Sequence, residues 1–175
     1  MLTPRSPWWD KGVHEDRRPL LLARGRIKDA LRRYFLERDF VEAECGALQI
    51  SPGNEAHLHA FGTEWQAPNG EKHAYYLHTS PEFSCKKLLA AGEKRIFTFA
   101  PVYRNRERGR LHAPAFTMLE WYRTGEDYEA VIADSLALLR IAVEAAGTKG
   151  LCHLGKAAAT QSPAERIHVA DAFHR

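Results

Sequence analysis

Cysteine is scarce and poorly placed for crosslinking: Cys45, Cys85 and Cys152 are an odd set of three in 175 residues, with no C-x-x-C among them. That argues against both a disulfide framework and a zinc knuckle, and for reduced thiols in a cytoplasmic protein. No apolar run approaches the length of a membrane span, and the opening MLTPRSPWWDKGVHEDRRP contains no apolar h-region. Neither a transmembrane helix nor a secretory signal is expected, and residues 1–19 read as an irregular, basic leader. Trp8 and Trp9 within it stand ready to dock on the core or on a partner. Charge of one sign is also lacking. The net value of +3 does not by itself imply nucleic-acid binding, so any electrostatic function must come from local clustering.

What is present is an ordinary globular composition, 45% hydrophobic and 27% charged, in a chain of one-domain size. From Leu20 to Arg38, apolar residues at Ala23, Ile27, Ala30, Leu31, Tyr34 and Phe35 repeat at helical spacing, with Arg and Lys on the opposite face. FVEAECGAL then reads as a short alternating strand, Ser51-Pro52-Gly53-Asn54 as a turn, and Asn69-Gly70 as a hairpin signal before the strand HAYYLHT. SPEFSCKKLLAAG has helix punctuation at both ends: Ser80 as N-cap, Pro81 at the first helical position and Gly92 as the stop. RIFTFAPVYR is an apolar strand that Pro101 demotes towards an edge or a bulge. After FTMLEWYR, the segment from Glu126 to Ala146 predicts a second long helix, with Val131, Ile132, Leu136, Leu139 and Val143 inward and Gly147 as its end. Short loops between successive strands imply antiparallel pairing. The fold class is therefore α+β, an antiparallel sheet with flanking helices.

The chemistry concentrates in YRNRERGRLHAPAFTMLEWYR, where Arg104, Arg106, Arg108 and Arg110 alternate ahead of a mostly apolar strand. Strand alternation puts Phe116, Met118, Glu120 and Tyr122 on one face. An unpaired buried carboxylate is costly, so Glu120 should meet a cation, a metal or a ligand amine. Arg104, ending the preceding strand, points onto the same face, and a guanidinium grips phosphate oxygens through two parallel hydrogen bonds. Phosphate grip, aromatic platform and acid on one sheet suggest a nucleotide site at which a carboxylate attacks a phosphate. The plainer alternative is a solvated basic turn, with Glu120 paired to a Lys or Arg.

YLHTSPEFSCKKLLAAG and VYRNRERGRLHAPAFTMLEWYR closely resemble the class II aminoacyl-tRNA synthetase core of the lysine type, most nearly its stand-alone paralogues that ligate β-lysine to elongation factor P. The resemblance runs from about Leu20 to Ala146. It implies that residues 20–175 are the N-terminal part of a class II catalytic domain, with motif 1 at about 24–52 and motif 2 at about 97–123. In motif 2, Arg104 would be catalytic, gripping the α-phosphate where the adenylate forms. Asn105, Arg106, His112 and Phe116 would bind ATP, with His112 facing the outer phosphates and Phe116 stacking on adenine. Ser80, Pro81, Glu82 and Tyr122 would bind the amino-acid substrate. Glu82 would meet a lysine ammonium, and Glu120 the substrate amine or a metal. The implied cofactors are ATP and Mg2+, with the magnesium ligands expected outside this chain and no metal ligand within it. Implied partners are lysine or β-lysine, elongation factor P and a second copy of the chain through motif 1. Charging of tRNA is not implied, because no anticodon-binding barrel precedes the core.

The match is not uniform. Arg106 stands where the family has an acid that helps recognise adenine, with Glu107 one place on. Ala113 and Ala115 replace an amide and an acid, and Gly46 replaces the motif 1 proline, freeing the backbone there. Motif 3, with its second ATP-binding arginine and the acidic stretch before it, does not occur in the 175 residues, and ERIHVADAFHR reads as a helix opening at the chain end. These features predict a fragment of a longer ligase. The alternatives are a truncated, non-catalytic relative acting as a binding module, and a fragment of a lysyl-tRNA synthetase. Two weaker signals remain. His57 and His59 share a strand face but lack a third ligand, and Cys85 has no adjacent base to make it a nucleophile.

Overall fold

The computed structural model describes residues 7, 9–107 and 109–174. Trp8 of the tryptophan pair and Arg108 of the arginine loop lie outside the described residues. The chain divides into two compact units, Phe35–Glu126 and the segments flanking it on either side. The fold is α+β.

The central unit is built on two three-stranded sheets. In the first, β5 (Arg95–Tyr103) is flanked by β6 (Ala115–Arg123), antiparallel from Arg95↔Arg123 to Tyr103↔Ala115, and by the two-residue β1 (Val41–Glu42), parallel at Ile96 and Phe97. In the second, β4 (Lys72–Leu77) lies between β2 (Leu48–Gln49) and β3 (Phe61–Gln66), both antiparallel to it. The single antiparallel sheet expected thus resolves into two, one of them with a parallel pair. FVEAECGAL is not one strand but β1 and β2, split between the sheets, with Cys45 and Gly46 in the link. Gly46 is not in a left-handed conformation, and its carbonyl accepts from the Gln49 amide at 2.6 Å.

Pro101 sits inside β5 without breaking it. The Phe97 carbonyl faces β1, accepting from the Ala43 N–H at 2.8 Å. Pro101 shares its parity, so its missing N–H lies on the side away from β6, where the ladder loses nothing. β5 is the central strand of its sheet, not an edge, but beyond Phe97 no strand among the described residues pairs on that side, so Pro101 lies where the ladder is locally open. Its carbonyl is 2.7 Å from Nε2 of the buried His78. The core of this unit is aromatic. Phe35 stacks on Phe97 at 4.7 Å, meets Phe40 edge-on at 5.0 Å and tilts against Trp121 at 5.8 Å. Phe35, Phe97, Ile96 and Val102 are wholly excluded from solvent. Arg95 and Arg123 both bond Glu126, and the Arg95 hydrogen bond above all holds that carboxyl below its usual range.

The expectation of an irregular leader over residues 1–19 fails from Lys11 onward, because α1 runs Lys11–Leu36 with Pro19 inside it. An interior proline removes an N–H donor and normally stops a helix. Two local features outweigh it. The Asp10 carboxylate accepts the N–H of Gly12 at 3.0 Å and of Val13 at 3.2 Å, satisfying orphan donors of the first turn. Lys11 and Glu15 pair at 3.8 Å across one turn.

In the flanking unit α3 (Tyr128–Ala146) begins on an Asp127 cap and ends on Gly147 at φ 74. Its inward face differs from the five residues expected. Val143 is buried, but Val131, Ile132 and Leu139 are 38%, 38% and 46% exposed, and the buried positions are Asp134, Leu138 and Val143. A carboxylate on the buried stripe is invisible to apolar periodicity. Here Asp134 accepts the Tyr34 hydroxyl at 2.7 Å, which meets the requirement that a buried acid be hydrogen-bonded. Tyr34→Phe should cost about 1–2 kcal/mol in urea unfolding, with no loss of helix content by circular dichroism. The chain continues into a hairpin absent from the sequence reading, β7 (Leu151–His153) and β8 (Lys156–Ala158), turned by Leu154 and Gly155 at positive φ. A last turn, α4 (Val169–Ala172), follows.

Candidate active site

The segment that follows β4 is pinned on both sides. The His78 N–H donates to Ala47 at 2.8 Å, and both the N–H and the hydroxyl of Thr79 reach the Pro52 carbonyl, at 3.2 Å and 3.1 Å. Ser80 is thereby presented at the start of α2 (Glu82–Ala90), where its hydroxyl accepts the Glu82 N–H at 3.0 Å. The cap position falls on Pro81 rather than Ser80, a one-residue offset with a reason. The Ser80 hydroxyl also donates to Glu120 Oε1 at 2.6 Å, so it faces across to β6 instead of closing the helix end alone.

Glu120 is the centre of this end of the site. Its other oxygen accepts the Tyr122 hydroxyl at 2.6 Å. Both partners are neutral, and no ion pair reaches Glu120 among the described residues. The alternative in which Glu120 pairs with a Lys or Arg therefore does not hold. Burial, and then the hydrogen bond to Glu120, push the Tyr122 phenol above its ordinary range, so it stays a protonated donor. Glu82 meets a cation of its own chain, the Lys86 ammonium one turn along α2, which raises the Lys86 pKa through that hydrogen bond.

The arginine loop forms the other end. Arg104 donates from Nε to the Thr79 carbonyl at 3.3 Å and lies 5.4 Å over the Phe116 ring. These two contacts fix the guanidinium while leaving both Nη nitrogens without a partner among the described residues. Arg104, His112 and Phe116 come together with Glu107, Leu111 and Ala113 around a cavity of about 280 Å³. Asn105 and Arg106 do not join them. The Asn105 N–H bonds the His59 carbonyl at 2.6 Å, its side chain accepts the Arg106 N–H at 2.8 Å, and Arg106 turns through φ 63. Both then line a second cavity with Phe61, Glu107 and Pro114. Glu107 borders both spaces, and its carboxylate lies 3.7 Å from His112 Nε2. His59 is engaged through its backbone, and the described residues contain no group of three or more His, Cys, Asp or Glu able to hold a metal.

Sequence reading missed one contact. Cys45 and Cys85, 40 residues apart, bring their sulfurs to 3.7 Å. No sequence signal announces this, because the break between β1 and β2 and the register of α2 together create it.

The profile of the family described as tRNA synthetases class II (D, K and N) matches residues 2–175. The chain belongs to that family. Among curated relatives, the elongation factor P–(R)-β-lysine ligase of Vibrio cholerae is 43% identical over 122 residues, 69% of this chain and 38% of the relative. The protein of the same name from Pasteurella multocida is 40% identical over 134 residues, covering 76% of this chain and 42% of the relative. That of Vibrio vulnificus is 36% identical over 156 residues, covering 81% and 48%. The chain thus spans less than half the length of these relatives.

Proposed function

We propose that this chain supplies the amine pocket and the α-phosphate grip of a ligase that activates lysine or β-lysine with ATP and passes it to a lysine of elongation factor P. The observation that carries the reading is Glu120, a half-buried carboxylate held by two neutral hydroxyls, 2.6 Å from each, on the sheet face that also bears Phe116. Such a group lacks only a cation, and an ammonium supplies one. Arg104 would take the α-phosphate through its two unpartnered Nη nitrogens as the substrate carboxylate attacks and pyrophosphate leaves. Phe116, half-exposed behind it, would carry the adenine ring. ATP would bring magnesium to neutralise its outer phosphates, with His112 beside them and the magnesium ligands in the length that the relatives have and this chain does not span. The test is ATP–pyrophosphate exchange with lysine and with β-lysine, on this chain and on a version extended to the relatives' length. Exchange that depends on either amino acid supports the reading, and none from a folded extended protein sinks it.

One specific observation favours a second reading, a relative that binds without catalysing. Arg106 stands where the family has an acid and faces the second cavity with Asn105. Under that reading nucleotide binds but exchange is absent.

A homodimer is part of the first reading. Around motif 1, Val41, Leu48 and Ile50 are 52%, 42% and 75% exposed, apolar side chains that a second copy would cover. Ile50→Lys should convert the protein to monomer in analytical ultracentrifugation with its far-UV spectrum unchanged.

A further inference from the structure

The two thiols beneath the amine pocket have no part in the chemistry proposed above. Cys85 is wholly buried on α2, three residues after Glu82, while Cys45, in the link from β1 to β2, is partly open to solvent. Their sulfurs are 3.7 Å apart and share a hydrogen-bonding contact. Both are free thiols, and no third ligand joins them to make a metal site among the described residues.

We propose that Cys45 and Cys85 are a dithiol–disulfide pair, an oxidative modification site whose oxidant is a peroxide and whose closure shifts the first turn of α2. Cys45, the accessible sulfur, attacks a hydrogen peroxide oxygen, releasing water and becoming a sulfenic acid. The Cys85 sulfur then attacks the sulfenic sulfur. The S–S bond forms, the sulfenic oxygen leaves as water with the Cys85 proton, and one peroxide has been reduced while two thiols were oxidised. The division of labour follows the environments. Burial, and then the neighbouring Cys45, push the Cys85 thiol up to about 12, so it waits as a protonated, enclosed resolving group. Burial also raises Cys45, an effect its contact with Cys85 partly offsets. Thiols with raised pKa react slowly, and a disulfide between them resists reduction because each is a poor leaving group. The pair is therefore suited to a slow, durable lock rather than to rapid signalling.

A disulfide needs its sulfurs about 2.05 Å apart, so from 3.7 Å they must approach by roughly 1.7 Å. Cys85 lies on α2 in the turn after Glu82, and the helix begins two residues past Ser80, whose hydroxyl holds Glu120 at 2.6 Å. Side-chain rotation closes part of that gap, and in a tightly packed interior the remainder is passed to the helix that carries Cys85. Oxidation should therefore disturb the amine pocket, a consequence that rests on the function proposed above.

The test begins with the reduced chain exposed to stoichiometric hydrogen peroxide, followed by alkylation and peptide mapping. The expected result is a Cys45–Cys85 crosslinked peptide lighter by two hydrogens, reversed by dithiothreitol, with Cys152 still alkylated. Oxygen added at Cys45 or Cys152 without the crosslink overturns the pair. Cys45→Ser, at the more open position, should leave Cys85 unoxidised, whereas oxidation of Cys85 in that variant overturns the order of attack. Lysine binding by calorimetry should be severalfold weaker after crosslinking, and equal binding overturns the lock. If the crosslink forms but neither state binds lysine or β-lysine, the proposed amine pocket fails while the disulfide pair stands.

Discussion

Replacing Arg104 by alanine should lower ATP–pyrophosphate exchange by about 10²–10³-fold in a protein of the relatives' full length, the effect of deleting one preorganised donor to a developing anion. The reason lies in how the side chain is held. Its Nε is committed to the Thr79 carbonyl at 3.3 Å, and its Cζ lies over the Phe116 ring, 5.4 Å from the centroid. Neither contact uses the two Nη nitrogens, which are the fork that a phosphate needs. The geometry is fixed before ligand arrives, so little ordering entropy is lost on binding. Arg104→Lys keeps the charge but loses both the fork and the guanidinium contact over Phe116, and should recover only a small part of the rate. A merely structural arginine would behave differently: the alanine variant would unfold at lower temperature and exchange would follow stability. Unchanged exchange in a folded Arg104→Ala protein would exclude the phosphate role.

The grouping of these side chains was legible in the sequence for a physical reason. Alternation along β6 places Phe116, Glu120 and Tyr122 on one face whatever the rest of the chain does, and the antiparallel register of β5 with β6 returns Arg104 beside Phe116. The placement of Asn105 and Arg106 beside the second cavity was not legible, because Asn105 is held by the His59 carbonyl and Arg106 takes φ 63, and positive φ at an arginine has no sequence signature. The same limit applies to α1, which starts at Lys11 on the Asp10 carboxylate, well ahead of the apolar spacing that begins at Leu20. On α3 apolar counting chose Val131, Ile132 and Leu139, while the buried stripe runs through Asp134. Hydrophobic pattern identifies which elements form. Polar partners such as Tyr34 decide which face turns inward, and these become visible only in three dimensions.

Glu120→Gln should weaken lysine or β-lysine binding about 10- to 100-fold, a loss of roughly 1.5–3 kcal/mol, and leave ATP binding nearly unchanged. The substitution is close in shape. Its carbonyl oxygen can still accept from Ser80, and the Tyr122 hydroxyl can rotate to accept from the new amide, so the β6–α2 contact survives while the charge does not. Ser80→Ala and Tyr122→Phe should each cost less, because each removes one neutral hydrogen bond to Glu120 and leaves its charge. These variants also predict a pH signature. The Tyr122 phenol is raised above its ordinary range by burial and by Glu120, so it remains protonated through the alkaline range in which the ligand amine loses its proton. Binding should therefore fall at high pH with the pKa of the ligand amine, and the same limb should persist in Tyr122→Phe. A limb that vanished with the tyrosine would assign the titration to the phenol and remove Glu120 from the centre of the pocket. The identity of the acid that meets the ammonium follows from the same comparison. Glu82 already has Lys86 as its counterion, so Glu82→Gln should weaken amine binding less than Glu120→Gln. The reverse order would make Lys86 a placeholder that the substrate displaces.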